Sequence, residues 1–124
     1  MGRRVRISSV FVIVMALITA ACSRPPDVRV EEARKAAHSW LATMRVIADK
    51  WSRGELPSHY FRSALREART DLEQQARSLE SDPATRDAAN EIRQVAATLT
   101  RIDAGVAHHD RDEVIAQLAR SRVP

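Results

Sequence analysis

From Val28 onward, apolar residues recur every three or four positions. Val30, Ala33, Ala37, Trp40, Leu41, Met44, Ile47, Ala48 and Trp51 form one stripe, while Glu31, Arg34, Lys35, Arg45, Asp49 and Lys50 fall elsewhere on the wheel. That spacing predicts an amphipathic helix. Its end is expected near Arg53, because Gly54 accepts the left-handed backbone that follows a last turn and Pro57 cannot extend the hydrogen-bond ladder. A second helix is expected from Pro57 or Ser58, with Tyr60, Phe61, Ala64, Leu65, Ala68, Leu72, Ala76 and Leu79 on its apolar side, ending before Asp82-Pro83. Ser81 or Asp82 then caps a third helix that has Pro83 in its first turn and Ala88, Ile92, Val95, Ala96, Leu99, Ile102 and Val106 as its stripe. Gly105 is expected to weaken its end. Asp110 and Glu113 stand at capping-box spacing and open a short fourth helix, whose apolar face is Val114, Ile115 and Leu118.

No segment alternates with period two for long enough to predict a strand. The fold expected is all-α. Three helices of about 23 residues, each about 35 Å long at 1.5 Å per residue, are joined by short connections. Neighbours then run in opposite directions, giving an antiparallel bundle of three long helices with a short C-terminal fourth helix. Alanine is frequent on the second and third stripes, so the core is thin and self-association into a homo-oligomer would add buried area. The pairs Glu31/Lys35, Asp49/Arg53 and Glu73/Arg77 are spaced for ion pairs on water-facing sides.

The first 27 residues break this pattern. Three arginines lie within residues 1–6, and no charged residue follows from Ile7 to Ala21, where Val10 to Ile18 is the strongest apolar run. This is the layout of a secretory leader, too short to cross the roughly 30 Å of a bilayer core as a permanent span. The chain's one cysteine, Cys22, follows Thr19, Ala20 and Ala21. A disulfide would need a second cysteine, and a nucleophile or metal ligand would need supporting groups on a structured element.

The TAAC ending at Cys22 resembles the lipobox of bacterial lipoproteins, with Thr19 standing where that family usually has Leu. The resemblance covers about the first 23 residues. It implies removal of residues 1–21, a covalent diacylglycerol on the Cys22 sulfur and an N-acyl lipid on its new amino terminus. Membrane association through that lipid anchor follows. Ser23 after the cysteine implies sorting to the outer membrane, facing the periplasm, in a host with two membranes, and the outer face of the cytoplasmic membrane otherwise. Residues 22–27, with Pro25 and Pro26, then form a tether, and residues 28–124 the helical bundle domain.

Removing the leader also changes the charge. The whole chain carries 20 Lys plus Arg against 16 Asp plus Glu; without Arg3, Arg4 and Arg6 the basic residues number 17 and the net charge is +1. That balance predicts no nucleic-acid partner.

Few residues carry chemistry. His108, His109 and Asp110 are good metal ligands by type, but adjacent ligands do not share a helix face, and no HExxH or CxxC occurs. Two histidines in the last turn of the third helix, facing the negative end of its dipole, with Asp110 capping the next, explain the cluster without a metal. His38 and His59 are expected to be exposed. Met44 with a histidine could ligate haem, but no CxxCH is present and Met within an apolar stripe packs. No catalytic frame such as GxSxG or a Gly-rich phosphate loop occurs, and the expectation is of no enzyme and no cofactor besides the lipid. Trp40, Trp51, Tyr60 and Phe61 gather around the first inter-helix turn. They either clamp that turn as core or form a partner-binding patch. The function expected is therefore a lipid-anchored envelope protein acting by protein-protein contact, as scaffold or assembly factor, with an envelope protein of unstated identity as partner. The alternative is a periplasmic metal or small-ligand binder using His108 and His109.

Overall fold

The computed structural model describes residues 25–122. The leader, Cys22 and the first half of the tether lie outside the described residues. All of the regular structure among the described residues is helical: α1 (Pro26–Ser52), α2 (Ser58–Glu80), a 3-10 turn (Pro83–Thr85), α3 (Arg86–Ala107) and α4 (Arg111–Arg120). No helix among them is long and apolar enough to cross a membrane.

Helix α1 begins earlier than its apolar stripe, so the tether expected to run through residue 27 is already helical at Pro26. Pro25 caps it, and the Pro25 carbonyl accepts the amides of Val28 and Arg29 at 3.1 and 3.2 Å. Pro26, lacking an N–H and preset near helical φ, fits the first helical position. At the other end, Gly54 takes φ +77°. Its N–H donates to the Trp51 carbonyl at 3.0 Å and the Glu55 N–H to Lys50 at 2.9 Å, the paired bonds of a Schellman stop.

The same stop recurs after α3, with a histidine in the glycine's place. His109 sits at φ +53°, its N–H donates to Val106 at 3.1 Å, and the Asp110 N–H donates to Gly105 at 2.9 Å. His108 and His109 thus follow α3 rather than forming its last turn. Asp110 does accept the Glu113 amide at 3.2 Å, as the capping spacing predicts. The reciprocal half of the box is not made, because the Asp110 N–H already serves the α3 stop, and the Glu113 carboxylate accepts from Gln117 and Arg120 instead.

Buried positions follow the predicted stripes. On α1 they are Ala33, Ala37, Leu41, Met44, Ala48 and Trp51, with Val30, Trp40 and Ile47 half-buried at the margins. On α2 they run Phe61, Leu65, Ala68, Leu72, Ala76, Leu79, so leucine and alanine alternate. On α3 the stripe gains Ala89, and Thr85 just ahead of it is buried too. The Thr85 hydroxyl donates to the Leu79 carbonyl, which satisfies a polar group that has no access to water. On α4, Val114 and Leu118 are buried but Ile115 is 41% exposed, a departure from the expected face. Val114 and Leu118 lie four apart on one line of the wheel; Ile115 is turned away by the extra 100°.

Helices α2 and α3 share the most extensive interface, α1 packs on α2, and α4 packs on α3 and α1. Inter-helix bonds fix the order of these contacts. Between α1 and α2, Arg29 reaches Ser78, Trp40 reaches Asp71 and Trp51 reaches Ser58. Between α2 and α3, Arg62 reaches Asp103, Arg69 reaches Thr100 and Arg93 reaches Glu80. Helices α1 and α4 clasp each other's C-terminal carbonyls: Arg45 donates to Leu118 and Ser121, and Arg111 donates to Ser52. These arginines supply donors to carbonyls that helix ends leave unpaired.

Gly105 explains how α4 sits so tightly. A Cβ built there would meet Val114 Cγ2 at 2.8 Å, so the glycine, expected only to weaken α3, is what admits the Val114 side chain.

Candidate interaction site

The four aromatic residues do not form one patch. Trp51 and Phe61 are buried, 3% and 0% exposed, with ring centroids 5.4 Å apart and planes at 57°. A tilted pair of this kind adds to the packing between α1 and α2. The Trp51 Nε1 donates to Ser58 Oγ at 3.0 Å, tying the end of α1 to the first residue of α2 across the Gly54 turn. These two residues belong to the core. Tyr60, one position before Phe61, is 53% exposed. Trp40 is half-buried and its Nε1 donates to Asp71 Oδ2 at 2.8 Å, which fixes the plane of the indole.

His108, His109 and Asp110 occupy the exposed α3–α4 turn. Asp110 Oδ1 is engaged by the Glu113 amide. Among the described residues, no three His, Cys, Asp or Glu side chains are grouped to hold a metal ion. His38 and His59 are exposed, and Met44 is fully buried in the α1 stripe. Of the i,i+4 pairs, Asp49 and Arg53 close at 2.7 Å.

A feature that the sequence reading did not single out lies on the outer side of α2. A groove of about 590 Å³ runs along the α2/α3 seam, where Arg66, Arg69, Arg77 and Arg93 come together with Thr70 and Thr100. On the other flank of α2 a second groove, about 460 Å³, includes Trp40 and shares Arg66, Thr70 and Gln74 with the first. The α2 positions 66, 69, 70, 73, 74 and 77 are spaced by three and four, so they stand on one face.

Two of these arginines lack a side-chain partner among the described residues, as do Arg86 and Arg122 outside the groove. Elsewhere most are committed within the fold: Arg34 to Glu91 at 3.1 Å, Arg53 to Asp49, Arg62 to Asp103, Arg120 to Glu113. Arg66 and Arg77 have no side-chain hydrogen bond or ion pair among the described residues. Arg69 donates to the Thr100 hydroxyl at 3.3 Å, while its Nε, like that of Arg34, is buried with no hydrogen-bond partner. An unsatisfied buried donor costs about 1–3 kcal/mol. Arg93 is the exception in the groove, held at 2.6 Å by Glu80. The hydrogen bond from Arg93 holds the Glu80 carboxyl below its ordinary value, and Glu80 in turn raises Arg93. Farther along α2, the hydrogen bond to Asp103 raises Arg62 in the same way.

A third groove, about 440 Å³, lies where Leu41 of α1 meets α3 and α4. Its charged groups are largely spoken for: Glu91 by Arg34, Arg101 by Thr98 and Arg120 by Glu113.

The arginine cluster was hidden in the sequence because its members look like any solvated face. Only the three-and-four spacing of Arg66, Arg69, Glu73 and Arg77 was visible, and it does not say which arginines find acids across a helix interface. Comparison with protein-family models, with curated proteins and with solved structures found no match to this chain.

Proposed function

We propose that this chain is a lipid-anchored, non-enzymatic helical protein of the cell envelope that acts by holding another protein. In this reading residues 1–21 are a removed leader, Cys22 carries diacylglycerol and an N-acyl chain, and α1, α2 and α3 form an antiparallel up-down-up bundle with α4 laid against α1 and α3. The reading rests on one observation: a lone cysteine ends an uncharged apolar segment and stands four positions ahead of Pro26, where the helical domain begins.

The antiparallel arrangement is supported by the order of the contacts. Moving up α1 from Arg29 to Trp40 to Trp51, the partners on α2 descend from Ser78 to Asp71 to Ser58. Moving up α2 from Arg62 to Arg69 to Glu80, the partners on α3 descend from Asp103 to Thr100 to Arg93.

Anchoring at Cys22 also sets an orientation. Four residue steps from Cys22 to Pro26 span at most about 14 Å when extended, so the start of α1 stays near the bilayer. The end of α2 and the 3-10 turn stay near it too, since Arg29 binds the Ser78 carbonyl at 2.7 Å and lies 3.8 Å from Asp82. The Gly54 turn and the His108–Asp110 turn then point away from the membrane, and the long helix sides are left facing the periplasm or exterior.

Intact mass analysis of protein extracted from membranes tests the anchor. The expected species begins at Cys22 and carries the added mass of the lipids, and a Cys22→Ser variant lacks it. Recovery of a chain that keeps Met1 and a free thiol would defeat the proposal.

A further inference from the structure

We propose that α4 exchanges between two copies of this chain: the turn at His108–Asp110 opens, and the α4 of each copy fills the groove between α1 and α3 of the other. The inference goes beyond the anchored reading above and does not rest on it. The first observation is the composition of the connection. The α1–α2 link holds Gly54 and Pro57 and the α2–α3 link holds Pro83, so a proline interrupts each, whereas Val106 to Arg122 contains no glycine and no proline. The second is the backbone pairing. In the closed turn the His109 N–H donates to Val106 and the Asp110 N–H to Gly105. A helix running from α3 into α4 uses the same four groups with the pairing crossed, His109 to Gly105 and Asp110 to Val106, so opening leaves none of them unpaired. It also returns His109, the one non-glycine residue at positive φ among the described residues, from +53° to a helical value.

The third observation is the grip on α4, which a second copy can supply in full. Val114 fits against Gly105 of α3, Leu118 is buried, Arg45 of α1 donates to the Leu118 and Ser121 carbonyls, and Arg111 donates to the Ser52 carbonyl. None of these contacts needs its two sides to belong to one chain. Leaving the groove is also a smaller event for α4 than for any other helix. Two buried side chains come out of the core, against six on α1, six on α2 and eight on α3. A short hinge under strain, next to an element whose contacts are all reproducible between copies, is the circumstance in which identical elements swap. The partner is therefore a second copy of this chain, and the surface it uses is the α1/α3 groove that its own α4 covers in the closed form.

The test uses the full chain in a neutral detergent, where copies are free to meet in any orientation, concentrated and then diluted, with size exclusion and light scattering as the readout. A dimer is expected to form on concentration. Because each α4 must leave its groove before the copies part, the dimer should separate slowly after dilution. Residue 109 should tune the balance. His109→Ala keeps the cost of the closed turn and is the better helix former, so dimerisation is expected to tighten several-fold. His109→Gly relieves the closed turn and weakens the open helix, so dimerisation is expected to loosen about tenfold in a chain that remains folded. Val114→Asp spoils the fit at Gly105 and should abolish the dimer; circular dichroism at the helix band checks that the other helices persist, and Leu118→Ala is the milder variant if they do not. A native chain and a His109→Ala variant that both stay monomeric at every concentration overturn the proposal. So does a dimer of equal strength with His, Ala and Gly at position 109, or one that survives Val114→Asp in a folded chain, since either is held together by another face.

Discussion

Replacing His109 by glycine should stabilise the domain, and the reason lies in the backbone alone. His109 holds φ +53° at the position after the α3 cap, where the α1 stop has Gly54 at φ +77°. Its side chain is exposed, and none of its side-chain hydrogen bonds or ion pairs would be lost. A left-handed conformation costs an L-residue about 1–2 kcal/mol. Glycine avoids that cost but loses about 0.5–1 kcal/mol more in unfolded-state entropy. The difference leaves about 0.5–1 kcal/mol in favour of His109→Gly. For a domain of this size that corresponds to a rise of about 2–8 °C in the thermal midpoint, read by circular dichroism at the helix band. His109→Ala removes the imidazole while keeping a Cβ, so it should bring no gain. Gly54→Ala runs the comparison backwards and should lower the midpoint. If His109→Ala stabilises as much as His109→Gly, the imidazole rather than the φ angle was the burden, and the argument is wrong.

Other substitutions probe other parts of the structure. Gly105→Ala sets a helix-propensity gain of about 1 kcal/mol against an overpacking cost of about 1–3 kcal/mol from a Cβ 2.8 Å from Val114 Cγ2; net destabilisation is expected, and Gly105→Ala with Val114→Ala should recover part of it in chemical denaturation. Trp51→Ala should cost about 3–5 kcal/mol, whereas Tyr60→Ala, at an exposed site, should stay within about 0.5 kcal/mol; a large loss at Tyr60 would contradict the burial pattern. Glu80 is held below its ordinary value of 4.5 by Arg93, so its contribution is present above that pH and is lost as the pH falls below it. Glu80→Gln should therefore flatten the acid side of the stability profile and leave its slope near neutral pH unchanged.

The helices themselves were legible because burial leaves a period of 3.6 in the sequence. Every residue of the predicted third stripe is buried, and on α1 and α2 the residues that are not fully buried, such as Val30, Ala64 and Tyr60, lie on the stripe margins. Periodicity is silent about polar core residues and special backbone, which is where the reading and the structure part. Thr85 is buried because its hydroxyl finds the Leu79 carbonyl across a turn, a partner six residues away that no apolar pattern announces. Ile115 looks like core by type but falls off the line of Val114 and Leu118. His109 occupies a stop where glycine is the usual cue. The capping box at Asp110 lost its return bond to a competitor, the α3 stop, whose geometry appears only when both turns are built.

The arginine groove between α2 and α3 was less legible for a different reason. Whether an arginine is neutralised depends on acids brought near by folding, such as Asp103 for Arg62, forty-one positions away. Residue type and spacing alone make Arg62 and Arg66 look alike; the packing of α2 on α3 distinguishes them.

The alternation of leucine and alanine along buried α2 has one more consequence. A pair of helices meshed large against small has a single comfortable alignment, because sliding by one turn would set leucine against bulk on one side and leave gaps on the other. Sliding α2 lengthwise by one turn would carry leucines to places that alanines now fill, which disfavours ratcheting of α2 along its neighbours.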